Sequence, residues 1–317
     1  TFGKQRSAIG LAVNQTLDPE DPKYQWEDRG EVIASKRGDP FNAIDPAMFV
    51  DRDGKAYLFW GSFWSGIMMV ELDPETGKPK AGAEIQHIAD RREPPNAIEA
   101  AYVIFRHGHY YLCVSFDSCC DGAKSPYRVM IGRSDKVTGP YIDAAERPLL
   151  HGGGTLIVAS DERWRGPGHN SVLQADGKDW LVHHTYDMQN LNRQRILQIR
   201  PLYWQNHNWP VAGEPLVLTH GKPKIDITEQ TVVGTWRHSV DYNEAESRIV
   251  TFEPGGRIRD ADAKTCSWKL DGNRLQIRWQ DQFAPGGKWI ENVVIEPTGN
   301  SYIGRNQTYQ VIRGRRQ

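Results

Sequence analysis

The sequence has few cysteines, and none in a spacing that binds metal. The four cysteines stand at positions 113, 119, 120 and 266, so there is no Cys-x-x-Cys pair and we expect no zinc or thioredoxin-like site. Adjacent Cys119 and Cys120 cannot easily bridge each other, and the sequence leaves their disulfide state open. The number and spacing of the cysteines therefore do not indicate the cellular compartment of the protein.

Long apolar runs and a large net charge are also missing. No apolar run approaches the roughly 18 residues of a transmembrane helix, and the mean hydropathy is -0.62. A net charge of -1 and a pI of about 6.8 give no electrostatic reason to expect nucleic acid or an anionic membrane as a partner. At 317 residues the chain is long enough for a large core and two domains.

One hairpin pattern recurs three times along the chain. In the first copy Asp45 precedes an apolar strand, a turn contains Gly54, and a second apolar strand follows. The second copy is offset by 108 − 54 = 54 residues, so Glu99 aligns with Asp45 and Gly108 with Gly54. The third copy places His169 one step past the Asp45 position. Three copies of one hairpin thus have an Asp, a Glu and a His at nearly the same place.

This periodicity predicts an all-β fold, a β-propeller. Sheet repeats of ~40 to 50 residues with short strands and glycine turns are typical of propeller blades. The innermost strand of each blade points at the central axis, so we expect Asp45, Glu99 and His169 to face one another. A glycine-rich loop is predicted between the last two blades. The strands predicted for the three blades lie near 46–51, 56–62, 66–72 and 83–89; near 100–106, 110–116 and 127–134; and near 170–175, 179–186 and 195–203.

The pattern changes from about residue 225. Short alternating strands separated by glycine turns predict a small antiparallel β-barrel of ~90 residues. We therefore divide the chain into a propeller domain, 1–217, and a barrel domain, 225–317. The barrel sequence has no obvious cluster of acids, bases or ligands, so packing, substrate approach or stability is its expected role. The predicted barrel strands lie near 234–237, 248–252, 265–270, 275–279, 293–295 and 309–312.

Two convergent carboxylates in an aromatic-rich cleft indicate cleavage of a glycosidic bond. One carboxylic acid protonates the leaving oxygen while another carboxylate acts on the anomeric carbon or on water. The alternative is that Asp45 is a strand-end residue and Glu99 a structural acid, but their equivalent places in the repeat favour the catalytic interpretation. His169 either holds a metal or its water shell, tunes the acids, or is a hydrogen-bonded core histidine.

Many ordered motifs resemble the endo-1,5-α-L-arabinanases of glycoside hydrolase family 43. The resemblance covers residues 1–210, and the C-terminal part is similar to the accessory barrel of two-domain members. The motifs that carry it are Asn42-Ala43-Ile44-Asp45-Pro46, Gly61-Ser62-Phe63-Trp64-Ser65-Gly66-Ile67, Ala97-Ile98-Glu99-Ala100, Ser115-Phe116-Asp117-Ser118-Cys119-Cys120, Thr138-Gly139-Pro140-Tyr141, Gly166-Pro167-Gly168-His169-Asn170 and His184-Thr185-Tyr186-Asp187.

The resemblance implies a five-bladed propeller that hydrolyses arabinan or arabino-oligosaccharides with inversion. It implies Glu99 as general acid, Asp45 as the residue that tunes the acid and orients substrate, and His169 beside a bound metal, usually calcium. Calcium prefers oxygen ligands, so one imidazole with water would form a loosely held site. The resemblance also places Phe2 at the substrate cleft, although a blade-core position fits it equally well. The other residues it implies at the cleft are Asn42, Ser62 and Phe63.

The chain departs from the family pattern in one respect. The family's general base is an Asp in an upstream His-Asp-Pro motif, which this sequence does not contain. The chain also opens inside a strand pattern, so we expect the first blade and part of the second to lie upstream.

Three interpretations of this departure remain open. The chain is one piece of a longer protein whose N-terminal fragment is its partner, or an arabinan-binding propeller without hydrolysis, or an enzyme in which Asp45, Asp117 or Asp187 serves as base. An exo-acting arabinofuranosidase or xylosidase of the same group is the alternative activity. Export from the cytoplasm, to the periplasm or outside, is expected because polymeric arabinan cannot cross a membrane.

Overall fold

The fold is almost entirely β-structure, as the sequence predicts. The computed structural model describes residues 4–190, 194–205, 208–216, 225–259 and 266–317. Within these ranges it has 22 strands, a few short 3-10 turns and one single-turn α-helix, α1, at Glu229–Val232. None of the helices in the described ranges has the length and hydropathy needed to cross a lipid bilayer.

The first 14 strands form one two-stranded and three four-stranded sheets, and neighbours in sequence are neighbours in each sheet. The pair is β1-β2, and the larger sheets are β3 to β6, β7 to β10 and β11 to β14. The bounds are β1 Ser7–Val13, β2 Glu27–Ser35, β3 Ala47–Val50, β4 Ala56–Trp60, β5 Ile67–Leu72, β6 Gln86–Ala89, β7 Ile98–Arg106, β8 His109–Phe116, β9 Arg128–Ser134, β10 Thr155–Val158, β11 Trp164–Ala175, β12 Lys178–Asp187, β13 Ile196–Trp204 and β14 Pro210–Ala212.

The predicted blade strands agree with these bounds to within a few residues, except at three places. The structure adds β10 immediately after the predicted glycine-rich loop and β14 immediately after Trp209. It also begins β11 at Trp164, six residues before the predicted start at 170. The two added strands have only four and three residues, too short for an alternating pattern to be recognised. The number of propeller blades stays a prediction.

Tight turns explain the repeated glycines. His107 and Gly108 both have positive φ, 50° and 83°, and so do Asp176 and Gly177, 51° and 71°. Two-residue turns of this kind match the twist of antiparallel strands. They fix the register of the β7-β8 and β11-β12 hairpins, and with it the face on which each side chain lies.

The last eight strands close into a barrel. Their bounds are β15 Gly234–Val240, β16 Arg248–Glu253, β17 Arg257–Arg259, β18 Ser267–Asp271, β19 Arg274–Gln280, β20 Lys288–Ile295, β21 Ser301–Asn306 and β22 Val311–Arg316. The predicted barrel is confirmed, but two of its strands, β17 and β21, were not predicted. In β21 the neighbouring strand approaches so closely that a Cβ on Gly304 would lie 2.0 Å from the Asn292 carbonyl oxygen. A strand with a glycine at its centre gives a weak strand signal.

Adjacent Cys119 and Cys120 form a disulfide, which the sequence left open and indicated to be difficult. Their Cα atoms lie 3.8 Å apart. Cys120 has a left-handed backbone, with φ 74°, a local turn that the sequence did not indicate. Cys113 is a buried free thiol, and burial raises its pKa to about 12.

By residue contacts the chain divides into two compact units. Unit 1 comprises residues 1–117 and 131–154, and unit 2 comprises 118–130 and 155–317. Unit 2 therefore contains both the sheet that begins at β11 and the whole barrel. The predicted domain boundary between residues 217 and 225 stays a prediction.

Buried ion pairs join the barrel to the rest of unit 2. The guanidinium of Arg313 lies 3.0 Å from Asp161 and 2.9 Å from Glu214, and that of Arg315 lies 2.9 Å from Asp161. Arg305 donates to the carbonyl oxygens of Leu156 and Pro210. The barrel therefore shares a polar core with the preceding sheet.

Charge neutralisation keeps the carboxylates of this core ionised. Burial opposes ionisation of Asp161, but the charges of Arg313 and Arg315 outweigh it and hold the pKa of Asp161 below its usual value. At Glu214, too, burial alone would raise the pKa, but the charges of Arg313 and Arg315 lower it below the usual value.

We predict that Asp161→Asn destabilises unit 2 by about 1.5 to 3 kcal/mol, because it removes a buried carboxylate that is hydrogen-bonded to Arg313 and Arg315 and leaves Glu214 as their shared counter-charge. Glu162→Gln is the matched control, since the neighbouring Glu162 forms an exposed ion pair with Arg237 at 3.3 Å. Exposed pairs contribute about 0 to 1 kcal/mol. Urea denaturation measures both, and equal effects would contradict the account.

The lowered pKa of Asp161 also predicts how the stability of the protein depends on pH. A carboxyl group whose folded pKa is lowered contributes stability above its unfolded pKa, and loses it as the pH falls through the folded value. The wild-type protein should therefore lose stability below a pH of about 4, the unfolded value for Asp. Asp161→Asn should lose less over that range, and an unchanged acid slope would contradict this.

Candidate active site

Asp45 lies at the head of an inner strand of unit 1, two residues before β3. Its backbone is left-handed, with φ 56°, and its side chain is half-buried. The preceding carbonyl, on Ile44, accepts a hydrogen bond from the Gly61 amide at 3.0 Å. The turn into β3 is thereby tied to the end of β4.

Glu99 occupies the equivalent place in the next sheet. It is the second residue of β7 and is only 5% exposed. The next residue, Ala100, has φ 57°, and the pairing with β8 shifts register between Glu99 and Tyr102. Such a bulge turns a side chain away from the regular alternation of the strand.

Ser62 holds the Glu99 carboxylate in place. Its hydroxyl donates to Oε2 of Glu99 at 2.8 Å, and Ser62 is itself 6% exposed. The resemblance places Ser62 at the substrate cleft, whereas the contact that the structure provides is with Glu99. The prediction that Ser62 also contacts substrate stays a prediction.

The structure brings Asp45 and Glu99 together, as predicted. A carboxylate oxygen of one lies within 4.8 Å of a carboxylate oxygen of the other. Inverting glycosidases separate acid and base by about 6.5 to 9.5 Å, and retaining enzymes separate acid and nucleophile by about 5 to 5.5 Å. The two carboxylates are therefore close enough to interact electrostatically, either directly or through one bridging water.

Two other predicted cleft residues of unit 1, Asn42 and Phe63, are held by hydrogen bonds within that unit. Asn42 is 4% exposed and accepts a hydrogen bond from the Ser7 hydroxyl at 2.5 Å. Phe63 has φ 57°, and its amide donates to the Ile98 carbonyl at 3.0 Å, next to Glu99. Phe2 lies outside the described residues, so its predicted place at the cleft stays a prediction.

Both alternative bases are paired with arginines. Asp117 lies 3.3 Å from the Arg91 guanidinium, and Asp187 accepts two hydrogen bonds of 3.0 Å from Arg163. A carboxylate held in this way is a weaker base than a free one. Arg91 is a site residue that the sequence analysis missed. Nothing in the local pattern distinguished its guanidinium, which is 9% exposed, from a surface charge.

His169 belongs to unit 2. It lies in β11 with a left-handed backbone, φ 52°, and its side chain is exposed, which argues against a core histidine. Its ring stacks on that of His184 at a centroid distance of 6.4 Å. Burial, and then the charges of Arg195 and His169, lower the pKa of His184 to about 4. His184 is therefore neutral at neutral pH.

The groups beside His169 in unit 2 do not fit calcium. The buried Nε2 of His184 has no hydrogen-bond partner in the described part of the chain, and it is a nitrogen donor. Calcium takes six to eight oxygen ligands. A calcium ion at His169 would thus depend on water for most of its coordination.

Comparison with known proteins places the chain among enzymes of one kind. A sequence model of the glycosyl hydrolases family 43 matches residues 2–210. The extracellular exo-alpha-(1->5)-L-arabinofuranosidase ArbA of Cellvibrio japonicus is 40% identical over 223 residues, 67% of this chain and 64% of its own. The extracellular endo-alpha-(1->5)-L-arabinanase 1 of Bacillus subtilis is 40% identical over 210 residues, 66% of this chain and 62% of its own.

A solved structure agrees with these sequences. The Cellvibrio cellulosa alpha-L-arabinanase complexed with arabinohexaose superposes with a TM-score of 0.64 at 38% identity, covering 67% of this chain and 70% of that one. The chain spans less than two thirds of the length of the two curated relatives, 64% and 62%.

We predict that Gly61→Ala, one residue before Ser62, destabilises unit 1 by about 3 kcal/mol or more. A Cβ there would lie 2.1 Å from the Gly66 carbonyl oxygen, on a backbone with φ 132°. Strain and overpacking each cost about 1 to 3 kcal/mol. Gly54→Ala is the control, because Gly54 has φ 83° with open space around it, so it carries the backbone cost alone. Equal losses in urea denaturation would refute the steric argument.

Proposed function

Because the chain belongs to family 43 of the glycosyl hydrolases, we propose that it cleaves internal α-1,5-L-arabinofuranosidic bonds of arabinan with inversion. The observation that carries this proposal is the carboxylate pair, Asp45 and Glu99, within 4.8 Å of each other at the heads of two inner strands. The match to the family model and the two relatives at 40% identity support the substrate class.

Glu99 is the proposed general acid. A buried carboxyl group that accepts a hydrogen bond from Ser62 at 2.8 Å is positioned to give a proton to the leaving sugar oxygen. Asp45 is the proposed modulator, which acts on Glu99 electrostatically and orients the substrate. The spacing supports this role, since two carboxylates with oxygens within 4.8 Å of each other interact electrostatically.

The general base is proposed to come from a segment outside residues 1–317. Two observations support this. Asp117 and Asp187 are paired with arginines, and the chain spans 64% and 62% of the relatives' lengths. Such a segment, on the same polypeptide or as a separate fragment, would be the partner that completes the site.

The alternative activity is exo-cleavage, by an arabinofuranosidase or a xylosidase of the same group. It is favoured by the equal identity of this chain to a relative named for exo action and to one named for endo action, 40% in each case. Binding of arabinan without hydrolysis is the other alternative, if no base is supplied.

We further propose that the three sheets of four strands are blades of a five-bladed propeller and that His169 approaches the acids from its own blade. Its place in the hairpin repeat supports this. We propose that a hydrated calcium ion at His169 supports the active site. The neighbouring His184 offers only a nitrogen as a ligand, and calcium prefers oxygen ligands. Export is proposed because both relatives are named extracellular.

Replacing Glu99 tests the acid assignment. We predict that Glu99→Gln lowers hydrolysis of debranched arabinan by about 10² to 10⁴-fold while binding of arabino-oligosaccharide persists. An aryl arabinofuranoside, whose leaving group needs little protonation, should lose much less. Reducing-sugar release and calorimetry measure these effects. Exposed Glu84→Gln is the control in the same unit. Full activity of Glu99→Gln on arabinan would contradict the assignment of Glu99 as the general acid.

Chelation tests the calcium proposal. We predict that EDTA lowers the melting temperature or the activity of the wild-type protein, that calcium restores it, and that His169→Ala removes the response. A protein indifferent to EDTA would leave His169 with a role in orienting the acids or the substrate only.

A further inference from the structure

Unit 2 contains a groove that has no part in the chemistry proposed above. It has a volume of about 490 Å³ and lies between the end of β13 and the outer wall of the barrel at β18, β19 and β20. Pockets that bind small ligands commonly measure about 300 to 1,000 Å³. None of its lining residues belongs to the candidate active site.

The barrel side of the groove is polar. Along β19, Leu275 and Ile277 point into the barrel core, so the alternate residues Arg274, Gln276 and Arg278 point outward. The strand register places Lys269, Gln276 and Asn292 side by side across three strands. The amide of Gln276 donates to Asn292 at 2.9 Å and accepts from Arg278 at 2.9 Å. This wall is therefore an ordered row of amides and cations.

The opposite side is aromatic. It consists of Tyr203, Trp204 and Gln205 at the end of β13. The Trp204 indole donates to Asp179 at 2.6 Å, which fixes the plane of the ring. Nε2 of Gln205 is buried and has no hydrogen-bond partner among the described residues. A ring of fixed orientation thus lines the groove, with a buried polar group of Gln205 behind it.

The charge of the groove is positive, although the chain as a whole has a net charge of -1. Lys269, Arg274 and Arg278 are exposed, and the described part of the chain provides no ion-pair partner for any of them. Asp271 is the one acid among the lining residues. Asp271 lies opposite Arg274 in the strand register, so three cations against one acid leave the groove with a net positive charge. A net positive groove beside a fixed aromatic ring suits an anion with a flat apolar face.

We propose that this groove binds an acidic oligosaccharide, a glycan whose sugars carry uronate carboxylates. The carboxylates pair with Lys269, Arg274 and Arg278, the sugar hydroxyls meet the amides, and the C–H face of one ring packs on Trp204. Arabinan is neutral, so a cationic groove is not explained by it. The groove would hold the enzyme on the acidic part of a branched glycan while the active site cleaves neutral branches.

Calorimetry with a soluble oligogalacturonate tests the proposal. The comparison ligand is the same oligomer with its carboxylates reduced to alcohols. The wild-type protein should bind the acid form at least tenfold more tightly than the reduced form, and added salt should weaken this binding, because exposed charges are screened. A neutral arabino-oligosaccharide should not compete for the groove.

Substitutions of lining residues test whether the oligogalacturonate binds in this groove. Trp204→Ala and the double variant Lys269→Gln/Arg274→Gln should each weaken binding of the oligogalacturonate by about tenfold, the equivalent of ~1.4 kcal/mol. Lys288→Gln is the matched control, an exposed cation on β20 that does not line the groove, and it should change affinity less than twofold. Trp204 is hydrogen-bonded to buried Asp179, so its replacement can also disturb folding, and the melting temperature of each variant checks this. The double variant changes only exposed residues, so its result does not depend on Trp204.

Three outcomes would overturn the proposal: no binding of oligogalacturonate by the wild-type protein, equal binding of its reduced form, or equal affinities for wild-type and double variant. Tighter binding of a single-stranded oligonucleotide would also overturn it in favour of nucleic acid. Hydrolysis of short arabino-oligosaccharides is measured separately on the same variants and should stay within twofold of wild type. A wild-type protein inactive on arabinan would count against the proposed function and leave the groove measurement unaffected.

Discussion

Left-handed residues at the heads of inner strands determine where the functional side chains of this protein lie. Asp45, Ala100 and His169 have φ values of 56°, 57° and 52°; Asp45 lies at the repeat position that Glu99 also occupies, and Ala100 and His169 lie one step past it. Each such non-glycine residue costs about 1 to 2 kcal/mol, so the hydrogen-bonded sheets on either side must offset it. In unit 1 the result is one half-buried and one buried carboxylate in direct range of each other, with Ser62 fixing the second.

A second constraint operates in unit 2, where buried charges add to the aromatic contact between Trp209 and Tyr309. The barrel has its own apolar core around Trp236, Phe252 and Tyr302. Its contact with the preceding sheet is nevertheless made by arginines that meet Asp161 and backbone carbonyls. Buried ion pairs add little net stability over apolar packing, but they tolerate few alternative geometries. The groove beside β13 depends on this fixed geometry, because its two walls come from the two sides of the contact.

Sequence reasoning predicted the parts of the fold that repeat. Alternation and glycine turns predicted β3 to β9 closely, and alignment of the repeats predicted that Asp45 and Glu99 lie together. It missed what depends on contacts distant in sequence, such as the pairing of Arg91 with Asp117 and the hydrogen bond from Ser62 to Glu99. It also missed the short strand β10. This strand is stabilised by pairing with a neighbouring strand, and its four residues alone give no recognisable strand pattern.

The anomeric configuration of the first product tests the central claim most directly. The claim is that Glu99 is the acid and Asp45 its modulator, with water delivered by a base elsewhere. Proton NMR of arabinan or arabino-oligosaccharide during hydrolysis by the purified protein should show the β-configured reducing end first, followed by slow mutarotation. An α-configured first product would mean retention, and would contradict the account by making Asp45 the nucleophile.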